Sequence, residues 1–253
     1  METLYAIIHA LHLPLASKVV IYISTVLGGL GGILLVRDWF MKTFLKKHIL
    51  KKKISKLAVS TTINYFVETF GSPIFVNLRS STKQYVFISE YCYVDAITDM
   101  NDKVRLFSVT TKYKNFNPVI ILGPYTSDKK SVKIKLGKSR FIDLEKLGWA
   151  EGKVYSGCGN RRAFYVEEYY FGNPGYYLTY ALSANQAGPE GVNASAETLN
   201  LGASVSSDPR IQSLRKNSII NTYTISSDPL TDEDINVPTG LGVDYDQIRL
   251  VDR

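Results

Sequence analysis

The chain holds three histidines among its 253 residues, His9, His12 and His48, and none beyond position 48. Everything after the first fifth of the sequence therefore lacks an imidazole to serve as general base or metal ligand. Cysteine is as scarce. Cys92 and Cys158 stand alone and far apart, which excludes a zinc cluster or a disulfide framework and reads as two reduced thiols in a reducing compartment. The size of the chain asks for no such staple, since 253 residues can bury a proper core in one large or two small domains. A usable carboxylate pair is missing too: Glu167 and Glu168 are adjacent in a strand-like segment, so their side chains point to opposite faces. Without a nucleophile and base, tuned carboxylates or a metal constellation, the sequence predicts no catalytic residue, no metal and no cofactor.

An excess of one charge is also missing from most of the chain. The net charge is +7, but of 30 basic and 23 acidic residues eight and one lie between Arg37 and Lys56, which leaves 22 of each elsewhere. A basic run confined to one segment beside an apolar run points to anionic lipid. "LKKHILKKKISKLA" carries no stacking aromatics among its lysines, so direct nucleic-acid binding is not expected.

What the chain has in plenty is one uninterrupted apolar run. Val19 to Val36 is 18 residues without a charge. At about 1.5 Å per residue it reaches roughly 27 Å, close to the hydrocarbon thickness of a bilayer. It predicts a transmembrane helix over 19–36. Lys18 alone precedes the run while Arg37 and Asp38 follow it, the reverse of a cleaved signal peptide. The positive-inside rule then places the N-terminus outside and the body in the cytoplasm, at the inner membrane, with Trp39 and Phe40 at the headgroups. "TVLGGLGGILLV" puts four glycines in the span, and Ser24, Gly28 and Gly32 fall on one face. Such a face lets two helices approach closely in lipid, so homo-oligomerisation through the span is expected; the alternative is that the glycines only loosen the helix. The run lacks the strand-loop-helix context and the Lys-Ser/Thr ending of a phosphate loop.

Residues 1–18 form an amphipathic segment with Leu4, Ile7, Ile8, Leu11 and Leu15 on one helical face, broken by Pro14 and too short to span alone. They predict a helix on the outer leaflet or a strained half-span. Residues 37–58 read as a basic helical stalk in which Lys46, Lys47, Lys51, Lys52 and Lys53 contact anionic lipid.

The body, 59–227, reads as α+β, with short helices packed on antiparallel sheet. "STTINYFVETFGSPIF" predicts a helix with Ile63, Phe66, Val67 and Phe70 on one face, capped at Ser60 or Thr61 and stopped at Gly71. "KQYVFISEYCYVDAIT" and "VRLFSVTT" predict the two strands of a hairpin around "DMNDK", and "NPVIILG" and "SVKIKLG" predict two more strands. From Ser139 a similar order recurs: "SRFIDLEKLG" is a short helix, "RAFYVEEYYFG" and "GYYLTYALSAN" are aromatic strands, and "IINTYTISS" closes the sheet. Two tandem helix-plus-sheet units, 59–137 and 138–227, are the simplest account.

Ser183 to Asp208 predicts a long exposed loop. The segment 228–253, with Asp232, Glu233, Asp234, Asp244 and Asp246, predicts a solvated acidic tail or a segment folded back on the basic stalk. "YSGCGNRR" is the most site-like loop, because its glycines free the backbone and Arg161 and Arg162 could grip a phosphate or carboxylate. The plainer alternative is a tight turn with solvated arginines. Nearby Tyr169, Tyr170, Phe171, Tyr176, Tyr177 and Tyr180 either stack on a nucleobase or fill a core.

"TTINYFVETFGSPIF", followed by an aromatic strand, an acidic turn and "VRLFSVT", resembles the helix, Gly-x-Pro and hairpin pattern of the β-lactamase-inhibitor-protein-like fold, shared with SmpA/OmlA-type assembly lipoproteins. The match covers Thr61 to Thr111, with a looser echo from Ser139 to Asn185, and Gly71 and Pro73 are its specific tokens. It implies a small helical layer on an antiparallel sheet and an activity of protein binding rather than catalysis. No lipoprotein cysteine lies near the N-terminus and the predicted compartment is cytoplasmic rather than periplasmic, so the fold carries over more readily than the partner. A short membrane segment joined to a soluble sensing domain also resembles the membrane effectors of bacterial antiviral defence. The expected function is therefore a non-enzymatic effector that disrupts the inner membrane when a cytoplasmic protein or nucleotide-type trigger binds. The alternative is a passive anchor or assembly factor for a cytoplasmic partner.

Overall fold

In the computed structural model the described residues are 45–123, 131–148, 152–158, 163–173, 176–192, 199, 208–235 and 241–251. The chain divides into two compact units, Met1–Leu50 and Lys51–Arg253, and only 45–50 of the first is described. The span 19–36 with Ser24, Gly28 and Gly32, the anchors Trp39 and Phe40, and Arg161 and Arg162 all lie outside the described residues. Among the described residues no helix is long and apolar enough to cross a membrane.

The second unit is mixed α+β, with few helices and a large antiparallel sheet. Helix α1, Lys46–Ile54, ends on a buried Ile54, and Leu57 and Val59 follow it into the core. The basic stalk expected over 37–58 is thus not separate from the body at its C-terminal end. Helix α2, Asn64–Phe70, stops at Gly71, whose φ of 86° suits a residue without Cβ. Its N-terminus departs from the expected cap: Ile63 occupies the N-cap, and the Thr61 hydroxyl donates instead to the Ala58 carbonyl at 2.8 Å. The fully buried Phe66 of α2 sets its ring 6.4 Å from that of Phe87 and 5.5 Å from that of Phe107.

Four strands follow, β1 Phe75–Leu78, β2 Lys83–Ile88, β3 Cys92–Thr98 and β4 Val104–Thr111. "KQYVFISEYCYVDAIT" is therefore two strands rather than one, because the chain reverses at Ser89–Tyr91, where the Ser89 amide donates to the Cys92 carbonyl at 2.9 Å. Next come β5 Val119–Leu122 and β6 Val132–Lys135, a separate two-stranded sheet, and a 3-10 helix, Phe141–Leu147, closed by Gly148 in the left-handed region. Then come β7 Lys153–Cys158, β8 Ala163–Asn173, β9 Tyr176–Ala184, helix α3 Pro209–Asn217 and β10 Thr222–Ser226. Short helices α4, Asp232–Ile235, and α5, Tyr245–Ile248, complete the order. The large sheet runs β1-β2-β3-β4-β10-β9-β8-β7, and every neighbouring pair is antiparallel.

Alternation along these strands divides the sheet into two faces. One packs against α2, the 3-10 helix and α3, with Phe141 edge-on to Tyr165 at 4.8 Å. The other is covered by the chain after β10. Leu230, Ile235 and Leu241 pack on Ile97, Leu106, Val166 and Ala181, and Val243 and Ile248 pack on Val86 and Tyr93. The described part of the acidic segment from Asp228 is accordingly not a solvated tail; its apolar residues seal the sheet, and Asp234 is paired with Arg105. Two further expectations change. Tyr155 to Cys158 belongs to strand β7, where Gly157 leaves room for the ring of Phe164 directly opposite, 2.7 Å from where a Cβ would stand. Within Ser183 to Asp208, Ser183 and Ala184 end β9 and Asn185 and Leu199 are buried, so the described part of that segment is not an exposed loop throughout.

Candidate functional site

Strand β8 carries Glu167 on the helix-covered face. Its carboxylate accepts from Arg215 Nε at 2.8 Å, Tyr165 OH at 2.8 Å and Tyr169 OH at 2.6 Å, and Glu167 is fully buried. Arg215, on α3, also donates to Glu145 Oε1 at 2.9 Å and to the Phe141 carbonyl at 3.2 Å. Burial pushes the Glu167 carboxyl upward, opposed by the Arg215 charge and the two hydroxyls; burial and that carboxylate together push both tyrosines up. Every polar group here is satisfied from within, so the cluster ties α3 and the 3-10 helix to the sheet and leaves nothing to offer a substrate.

The opposite face has a polar seam along its midline. Ser108 and Thr224 share a hydrogen bond of 2.7 Å and Thr222 donates to Thr110 at 2.8 Å, while Gln84 Nε2 donates to both oxygens of Asp95 at 3.0 and 3.1 Å. Burial pushes the Asp95 carboxyl up to about 7. Asn185 Nδ2 donates to the carbonyls of Leu241 and Val243 at 3.0 and 3.2 Å, which stitches the C-terminal segment over the seam.

Where that cover ends, at Pro229, a cleft of about 320 Å³ opens, lined by Lys153, Glu168, Tyr170, Thr179 and Pro229. Pairing register places these side chains together: Lys153 lies opposite Glu168 across β7–β8, and Tyr170 opposite Thr179 across β8–β9. Glu168 Oε2 accepts from Tyr155 OH at 2.7 Å. Thr179 is 1% exposed, and its hydroxyl is the one buried side-chain polar atom among the described residues without a partner. At the rim the exposed ring of Tyr170 stacks on Tyr177, centroids 5.3 Å apart and planes 13° from parallel. The cleft thus combines a carboxylate, an ammonium, an unsatisfied hydroxyl and an aromatic plane, with no nucleophile-base pair. Among the described residues no group of three His, Cys, Asp or Glu is placed to hold a metal.

Of the residues singled out in the sequence, Lys52 and Lys53 are exposed on α1 and Lys51 stands 5.6 Å above the ring of Phe116; Lys46 and Lys47 occupy the first turn of the same helix. Glu167 and Glu168 do point to opposite faces. Tyr165, Tyr169 and Phe171 are core, whereas Tyr170 and Tyr177 are exposed. The cleft itself escaped sequence reasoning because Lys153 and Thr179 meet only through strand pairing. Helix α3 left a readable signal, Asp208 capping with Pro209 in the first turn, directly after the segment Ser183 to Asp208 whose small polar residues read as loop.

No family model matches the chain, and no curated protein matches it. Among solved structures it is similar to a cysteine-rich secretory protein from Staphylococcus aureus, at 10% identity and a TM-score of 0.36 over 72% of this chain. The chain spans 48% of that protein's length.

Proposed function

We propose that this chain is a single-span inner-membrane protein whose cytoplasmic α+β domain binds a nucleotide-type trigger, and that it acts as a non-enzymatic, membrane-disrupting effector of antiviral defence. The observation that carries the binding reading is the Glu168 cleft. The Tyr170 ring offers a plane for a base, Lys153 a charge for a phosphate, and Glu168 and Thr179 acceptors and a donor for sugar hydroxyls. A buried hydroxyl without a partner costs free energy that a bound ligand recovers.

The membrane part rests on the uncharged run Val19–Val36, its Ser24, Gly28 and Gly32 face and the eight cations that follow. The domain reads further as two tandem helix-plus-sheet units of the β-lactamase-inhibitor-like kind. In support, each half has a short helix ahead of a four-stranded meander, and the meanders join through their last strands, β4 and β10.

The test is mass spectrometry of small molecules released by denaturing purified full-length chain. A phosphate-bearing, ultraviolet-absorbing compound near one per chain, absent from Lys153→Glu and Thr179→Val, is the expected result. A clean release from all three would remove the trigger reading and leave a passive anchor for a protein partner.

A further inference from the structure

The β5–β6 hairpin has one face turned to solvent. Directly opposed residues of an antiparallel pair share a face. Val119 lies opposite Lys135 and Ile121 opposite Lys133, and all four are exposed, the two aliphatics to 44% and 58%. Their neighbours Ile120, Leu122, Val132 and Ile134 point inward and are buried. Beside the lysine strand, an open cleft of about 960 Å³ between β6 and the 3-10 helix brings in Lys138 and Lys146, with Asp143 as its only carboxylate among the described residues. That carboxylate is already occupied, by Lys146 Nζ at 3.0 Å and the Arg140 amide at 3.0 Å. Lys133, Lys135 and Lys138 make no ion pair with any described residue.

We infer that this face docks on an anionic phospholipid surface, with Val119 and Ile121 entering the headgroup layer and Lys133, Lys135 and Lys138 meeting lipid phosphates. Unpaired lysines alone are an ordinary solvated surface. Two branched aliphatics set directly across from them are different, because an aqueous face gains nothing from exposing both. Lysine stems lie along apolar surface while their ammonium groups reach outward, which matches the depth profile of a headgroup region. No exposed ring accompanies these lysines among the residues lining the face, so nothing there stacks a nucleobase. Net charge had hidden the patch: the chain outside 37–56 is neutral in sum, although Lys133, Lys135 and Lys138 stand within six consecutive residues; folding sets them opposite Val119 and Ile121.

The inference rests on the membrane reading given above, and its test separates the two. A polarity-sensitive fluorophore is placed at Ile121→Cys in full-length chain carrying Cys158→Ser; Cys92 is fully buried, its thiol pushed up to about 12, and does not label. The exposed Met100→Cys serves as reference. In nanodiscs containing phosphatidylglycerol the label at 121 shifts to the blue, while in pure phosphatidylcholine discs and at position 100 it does not. K133E/K135E/K138E abolishes the shift. Equal emission in both discs, with the chain confirmed in the disc, overturns the docking face and spares the anchor. A chain that fails to enter discs removes the anchor; the same label with added anionic vesicles then decides docking alone, a shift supporting it and none overturning it. A shift with single-stranded RNA and none with lipid overturns it in favour of nucleic acid.

Discussion

Glu167 and Glu168 are joined by one peptide bond and face opposite sides of the same sheet. Glu167 is fully buried and held by Arg215, Tyr165 and Tyr169, whereas Glu168 lines the cleft beside Lys153 and Thr179. Strand alternation alone produces this division. One carboxylate fastens helix α3 to the sheet, and its neighbour, buried on the other face, accepts from Tyr155 OH at 2.7 Å and from the Leu230 amide at 3.5 Å at the edge of the cleft.

The fastening role makes Arg215→Met costly. It strands a fully buried carboxylate, and the expected loss is about 3–5 kcal/mol. Replacing both partners, Arg215→Met with Glu167→Gln, recovers a large part of it, since no charge then remains buried. Urea unfolding followed by circular dichroism in mild detergent measures both; equal losses in single and double variants would contradict the assignment.

Asp95 makes stability depend on pH. Its carboxyl is raised from an ordinary 3.8 to about 7 by burial, so the folded state holds a proton that the unfolded state releases. That contribution is complete below pH 3.8 and is lost as pH rises to about 7, a change on the order of 4 kcal/mol. Asp95→Asn keeps the shape and an oxygen for Gln84 and removes the titration. Unfolding midpoints at pH 4 and pH 8 are expected to show the variant gaining on the natural chain at the higher pH.

Gly242 lets the C-terminal segment approach the seam. Its φ is +103°, and a Cβ there would stand 2.9 Å from Thr110 Oγ1 and 3.1 Å from both Asn185 Nδ2 and Thr222 Cγ2. Gly242→Ala therefore lifts residues 241–248 from the sheet, at a cost of about 2 kcal/mol or more. Hydrogen exchange is expected to rise at Ile248, whose amide bonds to the Asp244 carbonyl, while β8 and β9 stay protected.

Thr179→Val removes the partnerless hydroxyl at nearly constant volume. Without ligand the variant is expected to be more stable than the natural chain by about 1 kcal/mol, because nothing that was hydrogen-bonded is lost. Thermal unfolding of ligand-stripped protein reads the difference directly.

Much of this was legible in the sequence. The helix ending at Gly71, the 3-10 helix ending at Gly148, the aromatic pair β8–β9 and the strand β10 all follow from local pattern, but β10 lies between β4 and β9 in the middle of the sheet rather than closing it. What local pattern missed was decided at long range. The turn at Ser89–Tyr91 interrupts an alternation that continues on both sides of it. The segment after Asp228 spreads Leu230, Ile235, Leu241, Val243 and Ile248 among acids, so its charge reads as tail while its sparse apolar residues find the sheet. Lys153, Glu168 and Thr179 come from three strands, and only their register makes them a site.

The central claim is that the chain breaches the membrane through an associated glycine-faced span, and uptake of an impermeant dye by cells tests it most directly. Cells expressing the full chain are expected to take up dye, and cells with equal membrane levels of Gly28→Leu/Gly32→Leu are expected to exclude it. Uptake unchanged by the double substitution, or absent with the natural sequence confirmed in the membrane, would contradict the account.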